Sequence, residues 1–107
     1  MWHEIFLAPE AVADLRRLPA HVRTEVTAAI EKHLRHAPSA SSKSRIKKLK
    51  GVDHPQYRLR VGEVRVFYDV AESTVEVVAI VPKADAADWL ERVGKQDEAG
   101  SFARSEE

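Results

Sequence analysis

The sequence predicts an α+β fold: a small antiparallel sheet, made of an N-terminal strand and a three-stranded meander, with an N-terminal helical hairpin on one face and a short C-terminal helix. Three observations predict it. The hydrophobic period is near 3.6 from Ala8 to Leu34 and changes to 2 after Gly51. Two alternating runs flank Gly62-Glu63, a pair suited to a tight hairpin turn. At 107 residues, 44% hydrophobic and 32% charged, the chain has the size and composition of one globular domain.

Each element has its own local reason. Trp2, Ile5 and Leu7 form a short apolar segment ended by Pro9, a residue suited to the first turn of a helix. Ala8, Ala11, Val12, Leu15 and Leu18 then recur at three- and four-residue spacing, and Val22, Val26, Ile30 and Leu34 follow at four-residue steps after Pro19. This gives two helices in a hairpin, stopped by Pro38, with Ser39–Ser44 as a loop. In Tyr57–Val61, Tyr57, Leu59 and Val61 take the core face and Arg58 and Arg60 the other. Val64, Val66, Tyr68 and Val70 repeat the alternation against Arg65, Phe67 and Asp69. Thr74–Val81 is nearly continuous in Val and Ile, as in a strand buried on both sides. Lys83–Val93 reads as a helix with Ala84, Ala87, Trp89 and Leu90 as its apolar members and Gly94 as its stop. Residues 1–93 form the domain, and residues 94–107, polar and acidic, are expected to be a disordered tail.

The charge balance hides a segregation. The 17 basic and 17 acidic residues cancel overall. Residues 43–68, however, hold Lys43, Arg45, Lys47, Lys48, Lys50, Arg58, Arg60 and Arg65 against only Asp53 and Glu63, while residues 69–107 hold ten acids against four bases. A local excess of that size makes a positive field that attracts polyanions. The alternative is a solvated loop whose charges meet the acidic C-terminal third.

Other chemistries find little support. With no cysteine, disulfides and thiolate sites are excluded. Of the five histidines only His33 and His36 fall at a metal-like spacing, with no acidic cluster beside them, so no metal is expected. The four glycines are dispersed, so there is no phosphate-cradling loop and no cofactor is expected. The serines cluster in loop and tail rather than on a nucleophile elbow. No apolar run approaches the length of a membrane span, and the first ten residues lack a basic leader, so a cytoplasmic protein is expected. What remains is the arginine face and the RIKKLKG run. Guanidinium forks suit bidentate phosphate contact, which favours RNA or DNA as the ligand, the alternative being ordinary cross-strand pairing with Asp69, Glu76 and their neighbours.

KKLKG, then YRLRVGEVRVFYDV, VEVVAIV and PKADAADWL, together resemble the RelE/ParE superfamily of toxin–antitoxin toxins over residues 1 to about 93. The resemblance implies a small antiparallel sheet under a helical hairpin. For the RelE-like branch it implies ribosome-dependent cleavage of messenger RNA by attack of a ribose 2′-hydroxyl, without metal, and a cognate antitoxin as partner. Arg58 and Arg60 match the basic positions of the family's strand motif and Arg65 the arginine of the next strand, which assigns them to phosphate binding and transition-state charge. Lys83 matches a basic position at the start of the last helix, and Lys43, Arg45, Lys47, Lys48 and Lys50 are expected to bind RNA. Where many active members carry an arginine or histidine and then a tyrosine, this chain has Ala84, Asp85 and then Trp89-Leu90, leaving Asp85 or His54 as substitutes for proton transfer. The resemblance equally covers a ParE-like inhibitor of DNA gyrase and an RNA-binding relative without cleavage.

Overall fold

The computed structural model describes residues 2–40 and 45–96. Along the chain run β1 (Glu4–Leu7), α1 (Pro9–Arg17), α2 (Ala20–Leu34), β2 (Ile46–Lys48), β3 (Tyr57–Val61), β4 (Val64–Ala71), β5 (Thr74–Pro82) and α3 (Lys83–Val93). The strands make a five-stranded sheet in the order β1-β5-β4-β3-β2. The α+β class, the helical hairpin, the meander and the last helix are as the sequence predicts.

Proline sets both helix starts. Pro9 opens α1, and Pro19, with extended ψ of 151°, separates α1 from α2 and caps the latter. The β3–β4 turn pairs Val61 with Val64 around Gly62-Glu63, and Gly62 takes φ +58°, the left-handed value required at the first central position of a type II′ turn.

The sheet buries both faces, unequally. Ala11, Val26, Ile30 and Leu34 of the hairpin pack on Leu59, Val61, Val64, Val66, Tyr68, Val75, Val77 and Ile80. Phe67, Ala79 and Val81 point the other way, onto Trp89 of α3, with Leu49, Ala86, Leu90 and Val93 around them. β5 serves both clusters by alternation, and a bulge opposite Phe67/Tyr68 inserts one residue, so that Tyr68 pairs with Val77 and Phe67 with Ala79. Its continuous apolar run therefore fills two cores. On α3 the buried stripe runs through Ala86, Trp89, Leu90 and Val93, while Ala84 and Ala87 are exposed.

Two features differ from the sequence expectation. The sheet is mixed, since β1 lies parallel to β5, pairing Glu4 with Thr74 through Leu7 with Val77. Periodicity tells which residues face inward but not which strand a segment joins. The second difference is β2, in a basic run to which the sequence reading assigns no strand. It is only Ile46-Lys47-Lys48, its one buried residue being Ile46, and lysines on so short an edge strand oppose pairing with other chains.

β1 stops short of the far end of β5, and α1 covers the rest. Asp14, a buried acid, accepts a 2.9 Å bond from the Ile80 amide, and Arg17 of the next turn binds the same carboxylate. Asp14→Ala leaves a buried amide unpaired, so stability is expected to fall by about 1–3 kcal/mol in urea unfolding. Asp14→Asn keeps an acceptor oxygen and should lose less.

Candidate nucleic-acid interface

Strand register decides which cations meet. Arg60 lies directly opposite Arg65, and Arg58 has Phe67 on one side and Lys47 on the other. The Arg60 amide donates to the Arg45 carbonyl at 2.9 Å, which places Arg45 at the outer end of the Arg60–Arg65 row. Pleat alternation then puts Lys47, Arg58, Arg60 and Arg65 on the sheet face that carries α3. They come from β2, β3 and β4, so their shared face depends on β2 being a strand, whereas Arg45, a bend residue before β2, lines a cleft with His33, Ala37 and Ala40.

Coverage by α3 grades the exposure across this face. Lys47 and Arg60 are exposed, Arg58 is half-buried and Arg65 is 8% exposed. Arg65 departs from the open position its alternation implies, because it lies on β4, where Phe67 and Trp89 close the surface. Its Nη1 donates to the Gly62 carbonyl at 2.9 Å and to the Val64 carbonyl at 3.1 Å, tying the guanidinium to the hairpin turn. Burial, then Arg65, then Arg60 hold the Arg58 guanidinium below the usual arginine range, and its buried Nε has no hydrogen-bond partner among the described residues. Lys47, Arg58, Arg60 and Arg65 form no ion pair with a described acid. The positive field extends to α2, where burial, then Arg45 and Lys32, lower the pKa of His33. Half-dry, mutually repelling donors are relieved by an anion offering several acceptor oxygens.

The remaining candidates are dispersed. Lys83 is exposed at the start of α3, and its amide donates to the Glu63 carbonyl at 2.7 Å, beside the turn that Arg65 holds. Lys48 pairs with Tyr57 and by alternation takes the opposite face, Lys50 lies exposed in the following loop, and Lys43 lies outside the described residues. Both tyrosines of the strand motif are structural. They stack at 5.5 Å, and the Tyr68 hydroxyl donates to the Pro38 carbonyl at 2.6 Å. Burial, reinforced by Tyr57 and opposed by Arg58, raises the Tyr68 phenol above the usual tyrosine range. Trp89 stacks on Phe67 at 4.8 Å and donates to Glu10 at 3.3 Å, so its indole packs rather than meets a base.

Sequence reasoning misses one ordered polar cluster. His54 Nδ1 lies 3.2 Å from Asp69 Oδ1, which also accepts the Gln56 amide at 2.8 Å, while Gln56 Oε1 accepts the Val70 amide at 2.7 Å. No spacing signal joins residues fifteen apart on a loop and a strand. This pair lines a cleft of about 150 Å³ with Glu10, Pro55, Trp89 and Lys95. A larger groove of about 550 Å³ runs between α1 and α3, where Glu10, Asp14, Asp85 and Asp88 outnumber Arg17 and Arg92. Asp85 therefore belongs to an acidic groove, whose sign is wrong for phosphate despite its size. Among the described residues no three metal-ligating side chains converge, and no helix is long and apolar enough to cross a membrane.

A family model described as the ParE toxin of the type II toxin-antitoxin system parDE matches residues 5–87. The chain is 33% identical over 87 residues to Toxin RelE3 of Methanocaldococcus jannaschii, covering 81% of this chain and 98% of that one. A crystal structure of the RelB-RelE antitoxin-toxin complex from Methanococcus jannaschii superposes with a TM-score of 0.62 at 30% identity, covering 78% of this chain and 96% of the other. An archaeal RelE-RelB complex from Pyrococcus horikoshii shares the fold, with a TM-score of 0.63 at 23% identity over 78% of this chain and 97% of that one.

The electrostatics of the face set stability against binding. Arg58→Met removes a poorly solvated charge from beside the Arg60–Arg65 pair while keeping its aliphatic bulk. Thermal unfolding of the variant should shift upward at low salt, by an amount that solvent screening holds under about 1 kcal/mol, and the gain should shrink as salt is added. An unchanged or lowered midpoint at low salt would show that the cations do not repel one another.

Proposed function

The chain belongs to the RelE/ParE superfamily of type II toxin–antitoxin toxins, and from that premise we propose that it arrests growth by inhibiting translation, cutting messenger RNA on the ribosome. The observation that carries this reading is the set of cations from adjacent strands, exposed Lys47 and Arg60 and half-buried Arg58, gathered on one face without ion pairs among the described residues and backed by Arg65.

In this reaction the 2′-oxygen of a ribose attacks the adjacent phosphorus and the bond to the 5′-oxygen breaks, leaving a cyclic phosphate and a free 5′-hydroxyl. The 2′-hydroxyl gives up a proton and the leaving oxygen takes one. Charge accumulates on the non-bridging oxygens, and Arg58 and Arg60 are the donors placed to receive it. Arg65 holds the turn and adds to the field, and Lys83, at the start of α3 beside that turn, is the candidate for proton transfer. Lys47 tracks the flanking backbone, with Lys43, Arg45, Lys48 and Lys50 adding to its electrostatic attraction. Neither metal nor cofactor enters the scheme. A ribosomal target places the protein in the cytoplasm. As the related RelE chains are solved with RelB, a cognate antitoxin is the expected protein partner, setting acids against the cation face.

A second reading has its own support. The matching family model is that of ParE, and where many cleaving relatives carry an arginine or histidine and then a tyrosine, this chain has Ala84, Asp85 and then Trp89-Leu90. That combination favours a ParE-like inhibitor of DNA gyrase, in which the same face meets DNA or its complex with enzyme and performs no chemistry.

Inducible expression followed by mapping of RNA ends separates the two. Translation arrest with 5′-hydroxyl ends inside ribosome-bound messages is the expected outcome, and gyrase–DNA cleavage complexes without such ends would overturn it. In the double variant Arg58→Ala/Arg60→Ala, cleavage should fall by a factor on the order of 100 or more while circular dichroism is unchanged. Growth arrest at full strength by the folded double variant would remove the cation face from the mechanism.

A further inference from the structure

Cations stand on both sides of the sheet's last strand. β2 ends the order β1-β5-β4-β3-β2, and Lys47 lies on the face that carries α3. Ile46 and Lys48 take the other side by alternation, and Ile46 joins the core under the helical hairpin. Where the chain enters β2, a cleft of about 250 Å³ opens between it and the end of α2, lined by His33, Ala37, Ala40, Arg45 and Ile46. Its polar side chains are His33, half-buried in the last turn of α2, and Arg45, exposed before β2, with Lys32 of α2 adding charge. Burial, then Arg45, then Lys32 hold the His33 imidazole below the usual histidine range. His36, one turn further on, is not in the lining. The helix dipole is negative at this end, but its roughly half an elementary charge is set against the full charges of Arg45 and Lys32.

We propose that this cleft is a subsite for a phosphate of the polynucleotide backbone, held by Arg45 and His33, and that a strand gripped by Lys47, Arg58 and Arg60 reaches it by passing over the β2 edge. The passage over the edge rests on the proposed function of the cation face, whereas the anion subsite rests on the cleft itself. Reach is short. The Arg60 amide donates to the Arg45 carbonyl at 2.9 Å, so the two backbones are one strand spacing apart, about 4.8 Å, and Lys47 is two residues along β2, about 7 Å away. Arg45 therefore adjoins the cation face on one side and the cleft on the other. Its guanidinium fork takes two oxygens of a phosphate, and the imidazole donates to a third. A bound anion favours the protonated imidazole, so it raises the pKa of His33 against the depression that Arg45 and Lys32 impose. By reciprocity, protonation of His33 tightens anion binding, and affinity falls as the pH rises through its pKa.

Proton NMR of the full chain tests this by following the imidazole resonances across pH, with His33 assigned by their loss in His33→Gln. The first probe is sulfate, which stands in for phosphate and keeps its charge over that range, compared with sodium chloride of equal ionic strength to remove simple screening. Sulfate should raise the titration midpoint of His33 by about one pH unit more than chloride, equivalent to about tenfold tighter binding by the protonated form. Exposed His21, at the other end of α2, should respond alike to both salts. In Arg45→Gln the difference at His33 should vanish. An equal response of His33 to the two salts would overturn the subsite. The second probe is a single-stranded RNA oligonucleotide, which should move His33 as sulfate does and bind several-fold more weakly to His33→Gln and to Arg45→Gln in mildly acid buffer. RNA that binds without moving His33 would confine the strand to the cation face and overturn the passage over the edge. If sulfate moves His33 while RNA does not bind at all, the anion subsite stands and the polynucleotide reading of the face falls. A polyglutamate peptide that moves His33 where RNA does not would give the cleft to a protein carboxylate and overturn its assignment to phosphate.

Discussion

One short helix cannot cover one face of a five-stranded sheet, and the architecture of the cation face follows from that constraint. On the other face, α1 and α2 build a continuous core from Ala11 to Ile80. On this face α3 seats Trp89 on Phe67 and screens Ala79 and Val81, all on β4 and β5. β2 and β3 are left open. Apolar residues there would present a sticky patch, and the sequence instead places Lys47, Arg58 and Arg60. Arg65 sits on the boundary, where its guanidinium must be both dry and bonded, and the carbonyls of the hairpin turn supply the bonds.

Magnitudes explain why such a face persists. Burying side chains such as Tyr68, Phe67, Leu34 and Leu59 contributes about 1.5–3 kcal/mol each. Repulsion between partly solvated cations is screened, and pairs near water are worth about 1 kcal/mol or less. Conformational entropy offsets most of the burial, yet the balance is still set by the two cores, and the open cations are a tolerated loss. Because repulsion falls on Arg58 from two neighbours, it is the residue where stability and anion binding oppose each other most directly.

The sequence discloses those features that are local. Helix stripes, the two proline starts, the Gly62 turn and the inward face of β3 and β4 all follow from neighbours within a few positions, and the structure agrees with each. Partners distant along the chain are not legible in this way. The parallel seat of β1 on β5 needs the whole sheet to exist first, and β2 is recognisable as a strand only once β3 is beside it. Asp14 reads as an ordinary helix acid until the Ile80 amide arrives from 66 residues away, and His54 and Asp69 meet only after the loop before β3 folds back. In the candidate site, alternation correctly groups Arg58, Arg60 and Arg65 on one face. It cannot say that α3 shuts over one end of that face, so the burial of Arg65 is invisible to it.

The same packing narrows the chemistry available to α3. Trp89 is committed twice, to the Phe67 stack and to Glu10, and Leu90 belongs to the same apolar cluster. A catalytic side chain in place of either would unseat the helix from the sheet. Asp85 and Asp88 line the acidic groove, on a side of the helix distinct from its packed stripe, and are poorly placed to serve an anion held by arginines. His54 is paired with Asp69 in a cleft beside Trp89 and Glu10, again among acids. Lys83, to which the family resemblance points, has its backbone bonded to the turn that Arg65 secures. A non-cleaving mechanism would need no group from α3 at all. The helix then serves as the wall that covers Phe67, Ala79 and Val81 beside the cations, a role compatible with either target.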